Sequence, residues 1–242
     1  MIGACVVRCR RTQGAWERKG GTVSQLFRPG ANTYLRLLLA AIVIGPLALL
    51  LLGGTIVRSD AVTGKGRFVD QQVPFSHQHH SGELGIDCRY CHTGVETGAN
   101  ANVPPTHTCM TCHSQLYTNA QMLAPVRESL ASGKPLSWNR VNQLPDYVYF
   151  DHHAHVNNGV PCAACHGDTR RMPLTRQATP MTMGWCLDCH RSPEDRVVAR
   201  SREYEDEPYR QRTPADRAAA HAVAVRIAHS GRNITDCSTC HR

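Results

Sequence analysis

Aromatic side chains are scarce in this 242-residue chain: 6% of residues are Phe, Trp or Tyr, and only four are Phe. Beyond residue 58, Ile and Leu are sparse as well. A segment so poor in large apolar side chains cannot fill a close-packed core from its own residues. Acids are nearly absent from residues 1–36, where Arg8, Arg10, Arg11, Arg18, Lys19, Arg28 and Arg36 stand against Glu17 alone. Charge of either sign is missing from Leu37–Val57, 21 residues reading LLLAAIVIGPLALLLLGGTIV. The formal charge of +8 is scattered, with no stripe of basic and aromatic residues, which excludes a nucleic-acid surface. Spare thiols are few too, although the chain holds twelve cysteines.

Ten of those cysteines fall in one pattern, C-x-x-C-H, repeated five times: Cys88/Cys91/His92, Cys109/Cys112/His113, Cys162/Cys165/His166, Cys186/Cys189/His190 and Cys237/Cys240/His241. This is the attachment sequence of a c-type haem. The two thiols add to the haem vinyl groups, and the adjacent His becomes the proximal iron ligand. A single copy could be half a zinc ribbon or a redox dithiol. Five pairs of five, each followed by His, exclude that reading, and a disulfide framework would need the same thiols. Cys5 and Cys9 have no following His and read as ordinary reduced thiols. Five covalently bound haem c groups also answer the missing core, because porphyrin replaces apolar side chains, and their propionates offset Arg and Lys. The expected fold is mostly irregular, with short α-helices wrapped on haems.

The uncharged run matches the roughly 20 residues that span a bilayer core, and Pro46 kinks such a span without forbidding it. A cleaved signal peptide is the competing reading, but its apolar region is shorter, and no A-x-A-like site follows. The Arg excess before the span holds the tail in the cytoplasm. The expected organisation is a basic cytoplasmic tail (1–33), one transmembrane helix (34–57), a polar linker (58–73) and a periplasmic pentahaem cytochrome c domain (74–242), in a bacterial cytoplasmic membrane.

That domain repeats internally. Phe75-x-His77-x-x-His80 precedes Cys88, and Phe150-x-His152-x-x-His155 precedes Cys162; each is followed by two attachment motifs. The units run over about 74–120 and 149–193, and duplication of a two-haem unit explains them. A partial third copy, His229-Ser-Gly before Cys237, echoes His80-Ser-Gly before Cys88, in a C-terminal segment of about 213–242. A short helix is expected over Ala120–Ser132, interrupted at Pro125. Another should start at Thr213-Pro214 and end near Gly231. The many charges of both signs in 194–212 suggest a solvated surface.

The sixth iron ligand decides whether a haem only passes electrons or also binds small molecules. His77, His80, His152 and His155 are distal candidates because their spacing recurs before attachment motifs. His107, held after Pro104-Pro105 and two residues before Cys109, is another. Met183, three before Cys186, offers a thioether, against the alternative that Met183 and Trp185 pack on porphyrin. Six candidates serve five irons, so one is not a ligand. His79, His153, His221 and His229 are read as structural or propionate-binding. No catalytic residue is expected.

The F-x-H-x-x-H runs, and His107-x-C-x-x-C-His113, resemble the small class III multihaem cytochromes c. That resemblance implies His77 for the haem on Cys88/Cys91, His80 for a neighbouring haem, and His152 for the haem on Cys162/Cys165. The span, the two units, Met-Gly-Trp-Cys-x-x-Cys-His and the terminal Cys-Ser-Thr-Cys-His-Arg together resemble the pentahaem subunit of bacterial alternative complex III, over residues 34–242. The resemblance implies a non-enzymatic electron carrier within a quinol-oxidising respiratory or photosynthetic complex. Its implied partners are an iron–sulfur protein, polysulfide-reductase-like membrane subunits and a monohaem cytochrome c, with a periplasmic electron acceptor. One rival is a self-sufficient membrane-anchored quinol dehydrogenase of the NapC type, whose first motif usually lies closer to the span. Another is a multihaem reductase of a small substrate, which needs an open iron. A related quinone-reductase complex of sulfate reducers uses a similar subunit.

Overall fold

The computed structural model describes residues 27–28, 30–205 and 211–241. Cys5, Cys9 and most of the basic tail lie outside the described residues. The chain divides into two compact units, before and after the Gly53–Gly54 bond.

The first unit holds most of α1, Ala31–Val57, which begins three residues before the expected start of the span. Its 27 residues rise about 40 Å at 1.5 Å each, enough to cross a bilayer core by length and composition. Its leucines and isoleucines are exposed, as an apolar solvent would require. Pro46 sits inside the helix without ending it.

The second unit has no β-strand among the described residues, only the isolated bridges Phe68–Arg176 and Val148–His241. Its helices are short: α2 (Asp60–Thr63), α3 (Cys88–Cys91), α4 (Thr106–His113), α5 (Ala124–Ser132), α6 (His152–Val156), α7 (Cys162–His166), α8 (Met183–Arg191), α9 (Pro214–His229) and α10 (Cys237–Cys240). All five attachment motifs lie on helices, which brings the two cysteines of each, three apart, to one face. Asp87 and Asp151 cap α3 and α6, accepting from the Arg89 and His153 backbone N–H groups. The residues after α1 are held to a later segment by hydrogen bonds. Gly66 N–H donates to the Gln177 carbonyl at 2.7 Å, and the Gln177 side chain donates to the Thr63 carbonyl at 3.0 Å.

Pro125 does not interrupt its helix. It opens α5 in the first turn, where a missing N–H costs nothing, after a 3₁₀ turn at Gln121–Leu123. The expectation of a solvated surface over 194–212 is corrected in part: half of its described residues are exposed and three are buried, while 206–210 lie outside the described residues. Val197 and Val198 are each 1% exposed, and Glu203 is equally buried. Val197 packs with Ala220 and Val223 of α9, and Val160 and Ile227 close the cluster. Ala220, Val223 and Ile227 share one helical face, a pattern hidden by the charges around it. The start of α9 is as expected: Thr213 and Asp216 form a capping box. Asp216, with no exposed surface, also accepts from Ala199 N–H and the Arg202 guanidinium.

The buried apolar residues among those described are valines, alanines and one methionine, without a single Leu, Ile, Phe or Trp. Side chains this small cannot hold 54–242 together unaided. The two repeats instead grip each other reciprocally. In the first, His77 Nδ1 lies 2.9 Å from Thr175 Oγ1, and Gln78 N–H donates to the Met172 carbonyl. In the second, His152 Nδ1 lies 2.8 Å from the Ala99 carbonyl, and His153 N–H donates to the Gly98 carbonyl. Each His-x-x-His element therefore docks on the loop that follows the other unit's first motif. At Gly82 the approach is so close that any Cβ would overlap the Arg170 carbonyl.

Candidate metal centres

Four pairs of histidine rings face each other. His77 and His92 have ring centroids 6.3 Å apart, and His152 and His166 repeat that separation with planes 5° apart. His80 and His113 stand at 6.1 Å, and His155 and His190 at 6.0 Å. Two imidazoles bound to one metal atom from opposite sides, each at about 2 Å, hold their centroids about 6 Å apart. The rings are thus spaced for an iron and a porphyrin plane between them, each pair with an attachment motif beside it. The donor set fits haem c.

The protonation of the rings fits as well. A neutral imidazole binds metal through Nε2 when Nδ1 carries the proton and donates it elsewhere. His92 Nδ1 faces the Asn102 carbonyl, His113 that of Leu116, His190 that of Ile234 and His241 that of Tyr147, at 2.7–3.2 Å. His80 and His155 both face the carbonyl four residues earlier, of Ser76 and Asp151. His166 Nδ1 lies 3.0 Å from the Asn142 side-chain nitrogen, while Asn142 Oδ1 has no partner. Exchanging the two amide atoms lets Asn142 Oδ1 accept from His166 Nδ1–H, the tautomer that leaves Nε2 free to bind a metal. Burial, with His92 and His80 close by, lowers His77 to about 4; burial, with His152 and His92 nearby, does the same to His166. These rings are neutral at neutral pH, with the lone pair available.

Phe75 and Phe150 explain the first letter of F-x-H-x-x-H. Phe75 stacks on His80 at 4.4 Å and meets the edge of His77 at 4.9 Å. Phe150 treats His155 and His152 the same way, at 4.5 and 4.8 Å. One ring thereby sets the orientation of two ligand candidates. The sequence carried this signal in the repeated Phe. It carried none for Asn142 or the carbonyl partners, which come from distant segments.

The remaining candidates separate. His107 makes no comparable Nδ1 bond among the described residues, and lies in a depression of about 500 Å³ lined by Pro104, Pro105, Leu130 and Trp138. Met183 opens α8 and is 68% exposed. His79 and His153 pair with the carboxylates of Glu83 and Asp151 at the surface. His241 stacks on Tyr147, whose own carbonyl faces it, and no imidazole among the described residues stands across from it.

The thiols lie in a sequence of neighbours. The Cys88 and Cys162 thiols, one from each repeat, lie close enough to shift each other's ionisation. Cys91 is pushed up by burial and by Cys109 nearby, Cys165 to about 12 by burial with Cys189 and Cys186 nearby, and Cys186 by burial with Cys240 nearby. All ten are free of disulfides. The motifs therefore follow one another in space as Cys109, Cys88, Cys162, Cys186, Cys237, with the junction of the repeats in the middle.

No protein-family model matches the chain. Over 103 residues it is 36% identical to the menaquinone reductase multihaem cytochrome c subunit of Nitratidesulfovibrio vulgaris. The match takes in 42% of this chain and 48% of that protein, so it spans about half the length of this curated relative. The likeness supports the multihaem cytochrome c reading, and it is not specific to alternative complex III.

Proposed function

We propose that the chain is a membrane-anchored electron-transfer subunit with five haem c groups, relaying electrons between a quinol-oxidising complex of the alternative complex III type and a periplasmic acceptor. The observation that carries this reading is the set of four facing histidine pairs at 6.0–6.3 Å. Ligands on both sides saturate an iron and favour outer-sphere transfer over substrate binding. Haem c supplies one-electron chemistry at iron when bound; Cys88, Cys91, Cys109, Cys112, Cys162, Cys165, Cys186, Cys189, Cys237 and Cys240 would tether it. His92, His113, His166, His190 and His241 would be the proximal ligands, and His77, His80, His152 and His155 distal ones. In this reading 1–33 is a cytoplasmic tail, 34–57 the span, 58–73 a linker and 74–242 the periplasmic domain. The repeats about 74–120 and 149–193, and the fifth-haem segment about 213–242, belong to that domain. The partners would be an iron–sulfur protein, polysulfide-reductase-like membrane subunits and a monohaem cytochrome c.

The rival quinol dehydrogenase needs a titratable group at membrane depth to take up protons, and Leu37–Val57 contains no charged residue and no His. The purified subunit is therefore expected to be reduced slowly or not at all by a soluble quinol analogue. The assembled complex should reduce the same haems quickly, with block by a quinone-site inhibitor. Fast, inhibitor-sensitive reduction of the isolated subunit would sink the relay. A second reading follows from the relative's name, in which electrons run the other way, into menaquinone. Rapid haem oxidation by a menaquinone analogue in the complex, without quinol-driven reduction, would favour it.

A further inference from the structure

Resting on the five-haem relay reading, we infer that Thr175 and Asn142 are positioning residues for the two irons at the junction of the repeats. Each holds one imidazole through its Nδ1 proton and thereby sets the potential of that iron. Six of the eight rings in the facing pairs send Nδ1 to a backbone carbonyl, which no substitution removes. The two exceptions stand in different pairs. His77, opposite His92, has Thr175 Oγ1 at 2.9 Å, and His166, opposite His152, has the Asn142 amide at 3.0 Å. These are the pairs whose motifs meet at Cys88 and Cys162. Their ring planes are also nearly parallel, 9° and 5° apart, against 64° for His80 with His113 and 39° for His155 with His190.

Both side chains are held from the same short segment. Around Thr175, Gly66 N–H donates to the Gln177 carbonyl at 2.7 Å, Phe68 bridges to Arg176, and Thr179 Oγ1 donates to the Cys165 carbonyl at 2.9 Å. Asn142 follows Asn139, which makes three hydrogen bonds of 2.6–2.8 Å with Asp70 and Gln71. Residues 66–71 therefore fix the loops that carry Thr175 and Asn142. A ring N–H that donates to an oxygen makes the imidazole a stronger electron donor, which favours ferric iron and lowers its potential. At Thr175 and Asn142 that oxygen belongs to a side chain, so substitution can delete it or give it charge. Without the bond the iron is easier to reduce, and with a carboxylate in its place harder.

The test uses the purified full-length holoprotein. Pyridine haemochrome analysis counts haems, a spectroelectrochemical titration reads their potentials, and electron paramagnetic resonance of the oxidised protein senses the angle between axial ring planes. Thr175→Val should keep five haems, raise the potential of one and move one resonance; Thr175→Ser should restore both. Asn142→Leu should raise the potential of a second haem, and Asn142→Asp should lower that same one. Each shift should reach about tenfold in the ferrous-to-ferric ratio at fixed ambient potential, or about 59 mV for one electron. A packing role gives no reason for the sign to reverse between Leu and Asp. If Thr175→Val fails to assemble holoprotein, the Asn142 variants decide. A wild-type count below five removes the five-haem reading itself. Five haems with potentials unmoved by Thr175→Val, or with both Asn142 variants shifting the same way, overturn the assignment and leave the relay standing.

Discussion

A buried carboxylate carries pH dependence into this fold. Burial alone would raise Asp216, but the Ala199 and Thr213 N–H groups, the Thr213 hydroxyl and Arg202 hold it at about 2. A depressed acid contributes stability that is fully present above its unfolded pKa and lost as pH falls through the folded one. The window here runs from about pH 4 down to about pH 2. Asp216→Asn should cost about 2 kcal/mol near neutral pH, the scale of hydrogen bonds to a charged group. Its deficit should shrink across that window as the wild type also loses its charge. Thermal or denaturant unfolding at several pH values measures this, and a deficit constant down to pH 2 would refute it. Glu203 is the opposite case. Burial raises it to about 7, with Arg200 and Arg89 opposing and Glu96 reinforcing the shift.

At the scale of elements, α1 and α9 are set by different forces. In α9, capping and a narrow apolar face decide where the helix begins and what it covers. In α1 it is uniform apolarity, in a helix long and apolar enough to cross a membrane. In the proposed reading the basic excess before it would hold the N-terminus in the cytoplasm. Protease added outside spheroplasts should therefore destroy the haem-staining domain and leave an N-terminal tag intact. A digested tag with a protected haem domain would reverse the topology.

For the whole molecule, the small valine and alanine core makes folding dependent on the cofactor. Expressed without haem attachment, the chain is expected to lose its compact second unit. Circular dichroism should show little helix beyond α1, and limited proteolysis should cut throughout 74–242. A protease-resistant haem-free domain would show that the side chains suffice. The reciprocal docking of the two repeats, through Thr175 and Ala99, gives the attached state its fixed geometry.

Much of this was legible in the sequence, because the signals are local. An attachment motif is five residues, an anchor is one uncharged run, and the cap of α9 is Thr213 with Asp216 three residues on. The pairing of the histidine rings was half legible: spacing marked His77, His80, His152 and His155 as a set. Tertiary structure decided that His80 faces His113 and His155 faces His190, because those partners are brought together across loops. It also decided that Val197 and Val198 are buried inside a charged stretch, since burial depends on what α9 presents to them. The order of the motifs in space, with Cys88 against Cys162 at the centre, is likewise a product of how the repeats dock. Local chemistry determined what each motif can bind; long-range packing determined which motifs are neighbours.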